Sequence, residues 1–484
     1  MAQRANVRLR VHGGFVARSG PKIRRKKKLR YEDITVVDQS LLKRAVGAAA
    51  LGNAMEWFDF GVYAYIADTI SEVFFPASVA PGVRLIGTFG AFTAAFLMRP
   101  LGGLVFGPLG DRIGRQKVLA VTMIMMAIGT LCIGLIPSYT SIGVWSPILL
   151  VLARMVQGFS TGGEYGGATT FIAEYSPDKR RGFMGSWLEF GTLSGYVLGA
   201  TVVTAMKAWV PHETLLDWGW RIPFLVAGPL GIIGLYMRLK LEETPAFQKH
   251  AEEAEKRGRS GEPFWKMFTE YWPALLICVG LVLVFNVTDY MLLSYMPTYL
   301  SEQLHLDATH GLLLIIVVMV VMMLIILVGG RITDKVGRKP VMMAGCLGYL
   351  VLSWPLMLLV HDGGLVLTFL GLMGLGLLLL CFEVSMPAAL PALFPTAIRY
   401  GALSIAFNIS VSLFGGTTPL VMQALISSTG HDFWPAWYLM AAGAVGAVAV
   451  YFSRETANEP LWGSGPAVAT EAEARELVRD SAKG

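Results

Sequence analysis

Apolar positions in this chain come in long, nearly unbroken runs, and polar positions gather in short stretches between them. A helix needs about 20 apolar residues to cross a bilayer. The pattern predicts twelve spans, at 45–67, 84–106, 117–136, 147–171, 183–206, 221–239, 273–298, 311–330, 341–360, 364–388, 400–426 and 434–452. Polar residues and glycine interrupt spans 1, 4 and 11. Lys and Arg concentrate before span 1, in the 2–3, 4–5 and 8–9 loops and in the centre, and the 3–4, 7–8, 9–10 and 11–12 loops have none. That asymmetry predicts two cytoplasmic termini. The expected organisation is a basic N-terminal tail over 1–40, a six-helix half over 41–240, a polar linker over 241–272, a second six-helix half over 273–453 and a tail over 454–484.

The two halves share a motif. Gly107-Pro-Leu-Gly-Asp111-Arg112-Ile-Gly114-Arg115-Gln-Lys117 recurs as Gly330-Arg-Ile-Thr-Asp334-Lys335-Val-Gly337-Arg338-Lys339. Pro177-Asp-Lys-Arg-Arg181-Gly182 is echoed by Pro395-Thr-Ala-Ile-Arg399-Tyr-Gly401, and Glu243-Thr-Pro-Ala by Glu455-Thr-Ala-Asn. Three matches in one order indicate internal repeats. Two related membrane halves are the usual architecture of a secondary transporter. The motif glycines permit tight turns. Asp111 and Asp334 can accept hydrogen bonds from an arginine or a helix N-terminus. A cytoplasmic gate is expected at Asp111, Arg112, Gly114, Arg115, Asp334, Gly337 and Arg338; cations that merely set topology are the alternative.

Composition agrees. The 484 residues are 54% hydrophobic and 15% charged, against roughly a quarter charged in soluble proteins. The net charge of +6 is spread over loops and tails and does not point to nucleic acid. Cys132, Cys278, Cys346 and Cys381 lie in apolar runs without a C-x-x-C pair, so neither a metal site nor a disulfide framework is expected. The densest basic run, 24–28, reads as a disordered tail or as a contact to anionic lipid. The stretch 471–480 is helix-prone but too short for a coiled coil.

Ionisable residues inside spans are costly and therefore usually functional or paired. Span 1 carries Glu56 and Asp59, span 4 Arg154 and Glu164, and span 7 Asp289. Helical rise puts Asp59, Arg154 and Asp289 at one depth, roughly 20 Å from the cytoplasmic edge, with Glu56 about one turn deeper. These four are the expected proton-coupling group: Asp59 or Glu56 takes the proton and Arg154 tunes it. A permanent structural ion pair is the competing account. A second cluster, Arg99, Glu164, Glu189 and Glu383, is expected nearer the cytoplasm as gate or packing pairs. Aromatic faces and a carboxylate suit a quaternary ammonium, which lacks N–H donors; Trp57, Tyr63, Trp187 and Tyr290 are the candidates.

The stretch Gly52-Asn-Ala-Met-Glu-Trp-Phe-Asp-Phe-Gly-Val-Tyr63, with Arg154-Met-Val-Gln-Gly-Phe-Ser, Gly162-Gly-Glu-Tyr, Trp218-Gly-Trp-Arg-Ile-Pro223 and Leu241-Glu-Glu-Thr-Pro-Ala-Phe247, resembles the metabolite–proton symporter family of the major facilitator superfamily. Asn286-Val-Thr, Tyr290-Met-Leu-Leu-Ser-Tyr-Met-Pro297, Leu393-Phe-Pro-Thr-Ala-Ile-Arg-Tyr400 and Ala406-Phe-Asn-Ile-Ser410 narrow the resemblance to the family's osmoregulatory members. It runs from about Tyr31 to about Pro460. The resemblance implies an all-α major facilitator fold in a bacterial inner membrane. It implies cofactor-free, proton-driven uptake of zwitterions such as proline, glycine betaine and ectoine, activated by rising osmolality. Asn286 and Asn408 join the expected substrate contacts on the same ground. Two departures stand out: no long C-terminal coiled coil, and Asp289 where an uncharged aromatic is expected. Organic-acid symport on the same fold is the rival, opposed by the excess of carboxylates over Arg154. A non-transporting osmosensor is the second rival. No nucleophile–base constellation suggests an enzyme. Oligomeric state is left open.

Overall fold

Span 1 begins where the Asp38 carboxylate accepts from the first free N–H groups of a helix, Ser40 N at 2.7 Å and Leu41 N at 3.3 Å. In this computed structural model, residues 29–113, 115–226, 228–229, 231, 266–362, 364–396 and 398–483 are described. Span 1 runs over Gln39–Tyr65, bends at Ile66 and continues as Ala67–Phe74. Spans 2 and 3 are Pro81–Ile113 and Arg115–Leu135. Span 4 is Trp145–Thr161 and Glu164–Tyr175, parted at Gly162 and Gly163. Span 5 is Arg181–Trp209, and only the start of span 6 is described.

The second half opens with span 7, Trp272–Asp289, a π-helical turn over Tyr290–Tyr295, and Met296–Glu302. Spans 8 and 9 are Ala308–Val336 and Arg338–Asp362. Span 10 is Leu365–Glu383 followed by Met386–Ala389. Span 11 is Arg399–Ser410, a second π-helical turn over Val411–Gly415, and Thr418–Thr429. Span 12 is Trp434–Phe452. Among the described residues, seven helices are long and apolar enough to cross a membrane on length and composition alone. Spans 1 and 4, which carry buried charge and a glycine break, are not among them.

Span 1 lies along span 5, span 2 along span 4, and spans 9 and 12 pack together. The halves join where span 5 lies along span 8 and span 2 along span 11. Close approach of spans 2 and 4 depends on Gly158, where an added Cβ would stand 1.6 Å from the Ala95 carbonyl oxygen. The outer faces are apolar, with Leu324, Val351 and Val366 exposed, as lipid contact requires.

The tails meet at one end of this bundle. Strand β1, Thr35–Val36, pairs in parallel with β2, Ala467–Val468. The final helix, Glu471–Lys483, packs its Ala474 against Ile34 and Val468. The basic run 24–28, its expected lipid contact, and the linker up to residue 265 lie outside the described residues.

Candidate functional site

Span 1 turns Asn53, Glu56, Trp57, Phe60 and Tyr63 inward, and all are buried. Glu56 forms an ion pair with Arg99 of span 2. Arg99 also donates from Nε to Thr161 Oγ1 at 2.9 Å and lies over the Phe60 and Phe96 rings. Asp59 accepts from Thr130 Oγ1 of span 3 at 2.7 Å. Gln157 Nε2 donates to that hydroxyl at 2.6 Å, and Arg154 Nη1 donates to Gln157 Oε1 at 2.9 Å. Arg154 thus reaches Asp59 through two neutral side chains. Its guanidinium is held between aromatic faces, 4.2 Å from the Tyr63 centroid and 5.0 Å from that of Phe60. A crevice touches Glu56, Asp59, Met123, Met126 and Glu164.

Between the halves lies a layer of rings. Trp57 sits 5.3 Å from Tyr196 and 5.7 Å from Tyr290, centroid to centroid. Tyr290 lies edge-on to Phe96 at 5.1 Å, and Tyr165 stacks on Phe407 at 4.1 Å. Asn53 anchors the layer: Trp57 Nε1 donates to it at 3.2 Å, and it donates to Thr192 and to the Leu188 carbonyl. Glu189 accepts from Tyr165 at 2.7 Å and from Thr192 at 2.8 Å. Asp289 lies just before the π-helical turn of span 7, and Glu383 ends the main helix of span 10. None of the carboxylate oxygens of Asp289 and Glu383 has a hydrogen-bond partner among the described residues.

Several placements differ from the sequence expectation. Asp289 has no bond to Asp59 or Arg154, and neither of its carboxylate oxygens has a hydrogen-bond partner among the described residues. Arg99, expected near the cytoplasm, serves Glu56 instead, and Glu164 lies at the crevice beside Glu56 and Asp59. Helical rise gives a residue's height but not the face it occupies, and faces decided these partners. Trp187 is no part of the ring layer; it packs on Phe183 and Phe190. Two residues from Glu189, it points about 200° away round the same helix. Tyr63 sits under Arg154 and donates to the Thr88 carbonyl at 3.0 Å. Asn286 bonds back to the Val282 carbonyl of its own helix at 3.0 Å. Asn408 ties span 11 to span 4 through the Gly162 carbonyl.

At the end of the bundle where the tails meet, Asp334 takes the N-terminus of span 5, accepting from Gly182 N at 2.7 Å and Phe183 N at 2.9 Å. This favourable placement of a carboxylate at a helix start joins the two halves. Gly337 has φ +107, and a Cβ there would stand 2.7 Å from Glu455 Oε2. Glu455 in turn accepts from the N–H groups of Arg338 and Lys339 at the start of span 9. Arg338 Nη1 binds the Thr456 and Ala388 carbonyls. The side chains of Asp111, Arg112 and Arg115, and all of Gly114, lie outside the described residues.

Sequence reasoning missed further ties. Arg399 pairs with Glu174 across the halves at 2.7 Å and donates to the Trp462 carbonyl at 2.8 Å. Arg181 pairs with Asp178 at 2.5 Å and donates to the Glu459 carbonyl at 3.1 Å. Asp178 also accepts from Ala467 N at 3.0 Å. Their signal is present in the sequence: Arg181 and Arg399 are equivalent positions in the duplicated stretch that marks the repeat.

The profile of the Major Facilitator Superfamily matches residues 49–382. The glycine betaine/proline/ectoine/pipecolic acid transporter OusA of Dickeya dadantii is 50% identical over 465 residues, 95% of this chain and 92% of that protein. A proline/betaine transporter of Escherichia coli K12 is 50% identical over 458 residues, covering 93% and 91%. Among solved structures, the proton:xylose symporter XylE bound to 6-bromo-6-deoxy-D-glucose superposes with a TM-score of 0.73 at 19% identity, over 87% of this chain and 98% of that one. The last likeness concerns the fold.

Proposed function

The chain belongs to the Major Facilitator Superfamily, and from that premise we propose that it imports zwitterionic osmolytes such as proline, glycine betaine and ectoine together with protons. It is a multi-pass membrane transporter, not an enzyme. The observation that carries the substrate class is 50% identity, over nearly the whole chain, to transporters named for betaine and proline. The geometry supports it: Trp57, Tyr196 and Tyr290 form a ring layer beside three buried carboxylates, and a methylated ammonium favours aromatic faces backed by negative charge. Arg99 and Arg154 are both engaged with groups of the N-terminal half, which leaves little for the second carboxylate of a di-anion.

The proton is carried in span 1, by Asp59 or Glu56, each linked to an arginine that can compensate its charge. The solute enters between the halves, which then reopen on the cytoplasmic side by parting Asp334 from span 5 and Glu174 from Arg399. The protein resides in a bacterial inner membrane with both termini in the cytoplasm, as the distribution of Lys and Arg supports. Hyperosmotic conditions activate it. The test is uptake of labelled glycine betaine and proline by purified protein in liposomes under an inward proton gradient, at low and high external osmolality. Gradient-dependent uptake that rises with osmolality is expected. Uptake of a dicarboxylate alone, indifferent to osmolality, would overturn the substrate class.

A further inference from the structure

Two carboxylates in the ring layer are unusually bare. Asp289 is 3% exposed and Glu383 0%, and none of their four oxygens has a hydrogen-bond partner among the described residues. The buried hydroxyls of Tyr290 and Ser385, each next in sequence or nearly so, also lack one. Glu189, 1% exposed, is satisfied by two neutral hydroxyls. No Lys or Arg among the described residues bonds to any of the three.

Burying a carboxylate away from water is costly unless a cation accompanies it. A protein gains nothing in stability from two such groups side by side, so their presence calls for a partner from outside. The backbone adds to the bias. Glu383 ends one helix and Asp289 ends the regular part of another, and the C-terminal end of a helix favours positive charge.

The surroundings narrow the class of cation. An alkali ion asks for a shell of oxygen ligands. Here rings dominate: Tyr290, next to Asp289 in the chain, packs on Trp57 and Phe96, and Phe382, next to Glu383, stacks on Tyr349. Carboxylates framed by aromatic faces suit an organic ammonium, bulky and poor in donors. We infer that Asp289 and Glu383, backed by Glu189, form the site for the ammonium group of the transported solute, distinct from the span 1 carboxylates. This deepens the osmolyte reading and rests on it. When the halves part, the three carboxylates come into reach of the ammonium from spans 5, 7 and 10, and its charge supplies what the cluster lacks.

The experiment uses the full chain with Asp289→Asn, Glu383→Gln and the double change, which keep shape and remove charge. Two readouts are taken: KM for glycine betaine uptake in liposomes, and the thermal midpoint of purified protein with tetramethylammonium chloride or sodium chloride added. The wild type should be stabilised by tetramethylammonium, and the double variant should lose that stabilisation. Its KM for glycine betaine should rise about tenfold or more, since a desolvated charge partner has been removed. Wild-type transport with KM unchanged in the double variant overturns the site and leaves the osmolyte reading intact. Stabilisation by sodium and not by tetramethylammonium, lost in the variants, overturns the assignment to an ammonium. Tetramethylammonium stabilisation through these residues in a wild type that transports no osmolyte keeps the cation site and removes the osmolyte reading.

Discussion

Glu56 and Asp59 each reach an arginine, the first directly at Arg99 and the second at Arg154 through Thr130 and Gln157. Across the Trp57–Tyr290 contact, Glu189, Asp289 and Glu383 reach none among the described residues. The first cluster can be neutral as a whole with no help from outside. It can therefore persist through the cycle, and a proton added to it is a change the arginines can register. The second cluster is incomplete as it stands. Incompleteness is costly for stability and useful for binding, because a ligand that completes the site gains what the empty protein lacks. The contrast supports the proposed division of proton work in span 1 and solute work at the interface between the halves.

Neutralising Asp59 should break the first half of that contrast most visibly. Asp59→Asn is expected to abolish uphill accumulation under a proton gradient while leaving exchange of labelled for unlabelled betaine intact. Liposomes loaded with betaine measure the exchange directly. Full accumulation by this variant would take Asp59 out of proton coupling.

Stability separates the clusters by sign. Arg99→Gln takes from the buried Glu56 its ion-pair partner, and removing one member of a buried ion pair costs about 3–5 kcal/mol. The thermal midpoint should fall steeply and recover in the Glu56→Gln, Arg99→Gln double variant. Asp289→Asn, by contrast, removes an uncompensated charge and should hold or raise the midpoint. A fall in both would mean that Asp289 has a stabilising partner after all. A smaller effect is expected at the relay: Gln157→Leu leaves a donor on Arg154 and an acceptor on Thr130 poorly satisfied, worth about 1–3 kcal/mol. It should also alter the pH profile of uptake if the relay couples Arg154 to Asp59; an unchanged profile would make Gln157 a packing residue.

The contrast itself was only half legible in the sequence. Twelve apolar runs and the repeated Gly-x-x-x-Asp motif carried the fold, because lipid forces long helices and duplication forces pairing of the halves. The intramembrane charges were identifiable for the same reason. Their partners were not: Arg99 and Asp289 were each assigned to the other's company, since depth follows from residue number while the facing direction depends on how spans cross. The bends at Ile66, at Gly162 and Gly163, and at the π-helical turn after Asp289 rotate faces in ways a regular period does not anticipate. Arg181 and Arg399 show the converse, a pattern visible in the chain whose use became apparent only when the C-terminal tail was seen to run between them.

A third way to settle a carboxylate appears at the start of span 9, and it sharpens the comparison at the smallest scale. Glu455 bonds to no arginine side chain among the described residues; its oxygens accept from the backbone N–H groups of Arg338, Lys339, Thr456 and Ala457, at 2.8–3.1 Å. Partial burial pulls its carboxyl upward, but these four donors outweigh it and hold the group below the usual carboxylate range. A carboxylate depressed in the folded state contributes stability above its unfolded value, about 4.3 for glutamate. That contribution is lost as pH falls through the depressed folded value. Glu455→Gln should therefore lower the thermal midpoint modestly at pH 7, in line with the loss of about 1 kcal/mol or less for an exposed helix cap. The gap between variant and wild type should narrow as the pH is taken below 4.3. A gap that stays constant down that range would show that Glu455 acts through its shape and neutral hydrogen bonds and not through its charge, and would leave the arginine-paired and solute-paired carboxylates of the interior as the electrostatic elements of this protein.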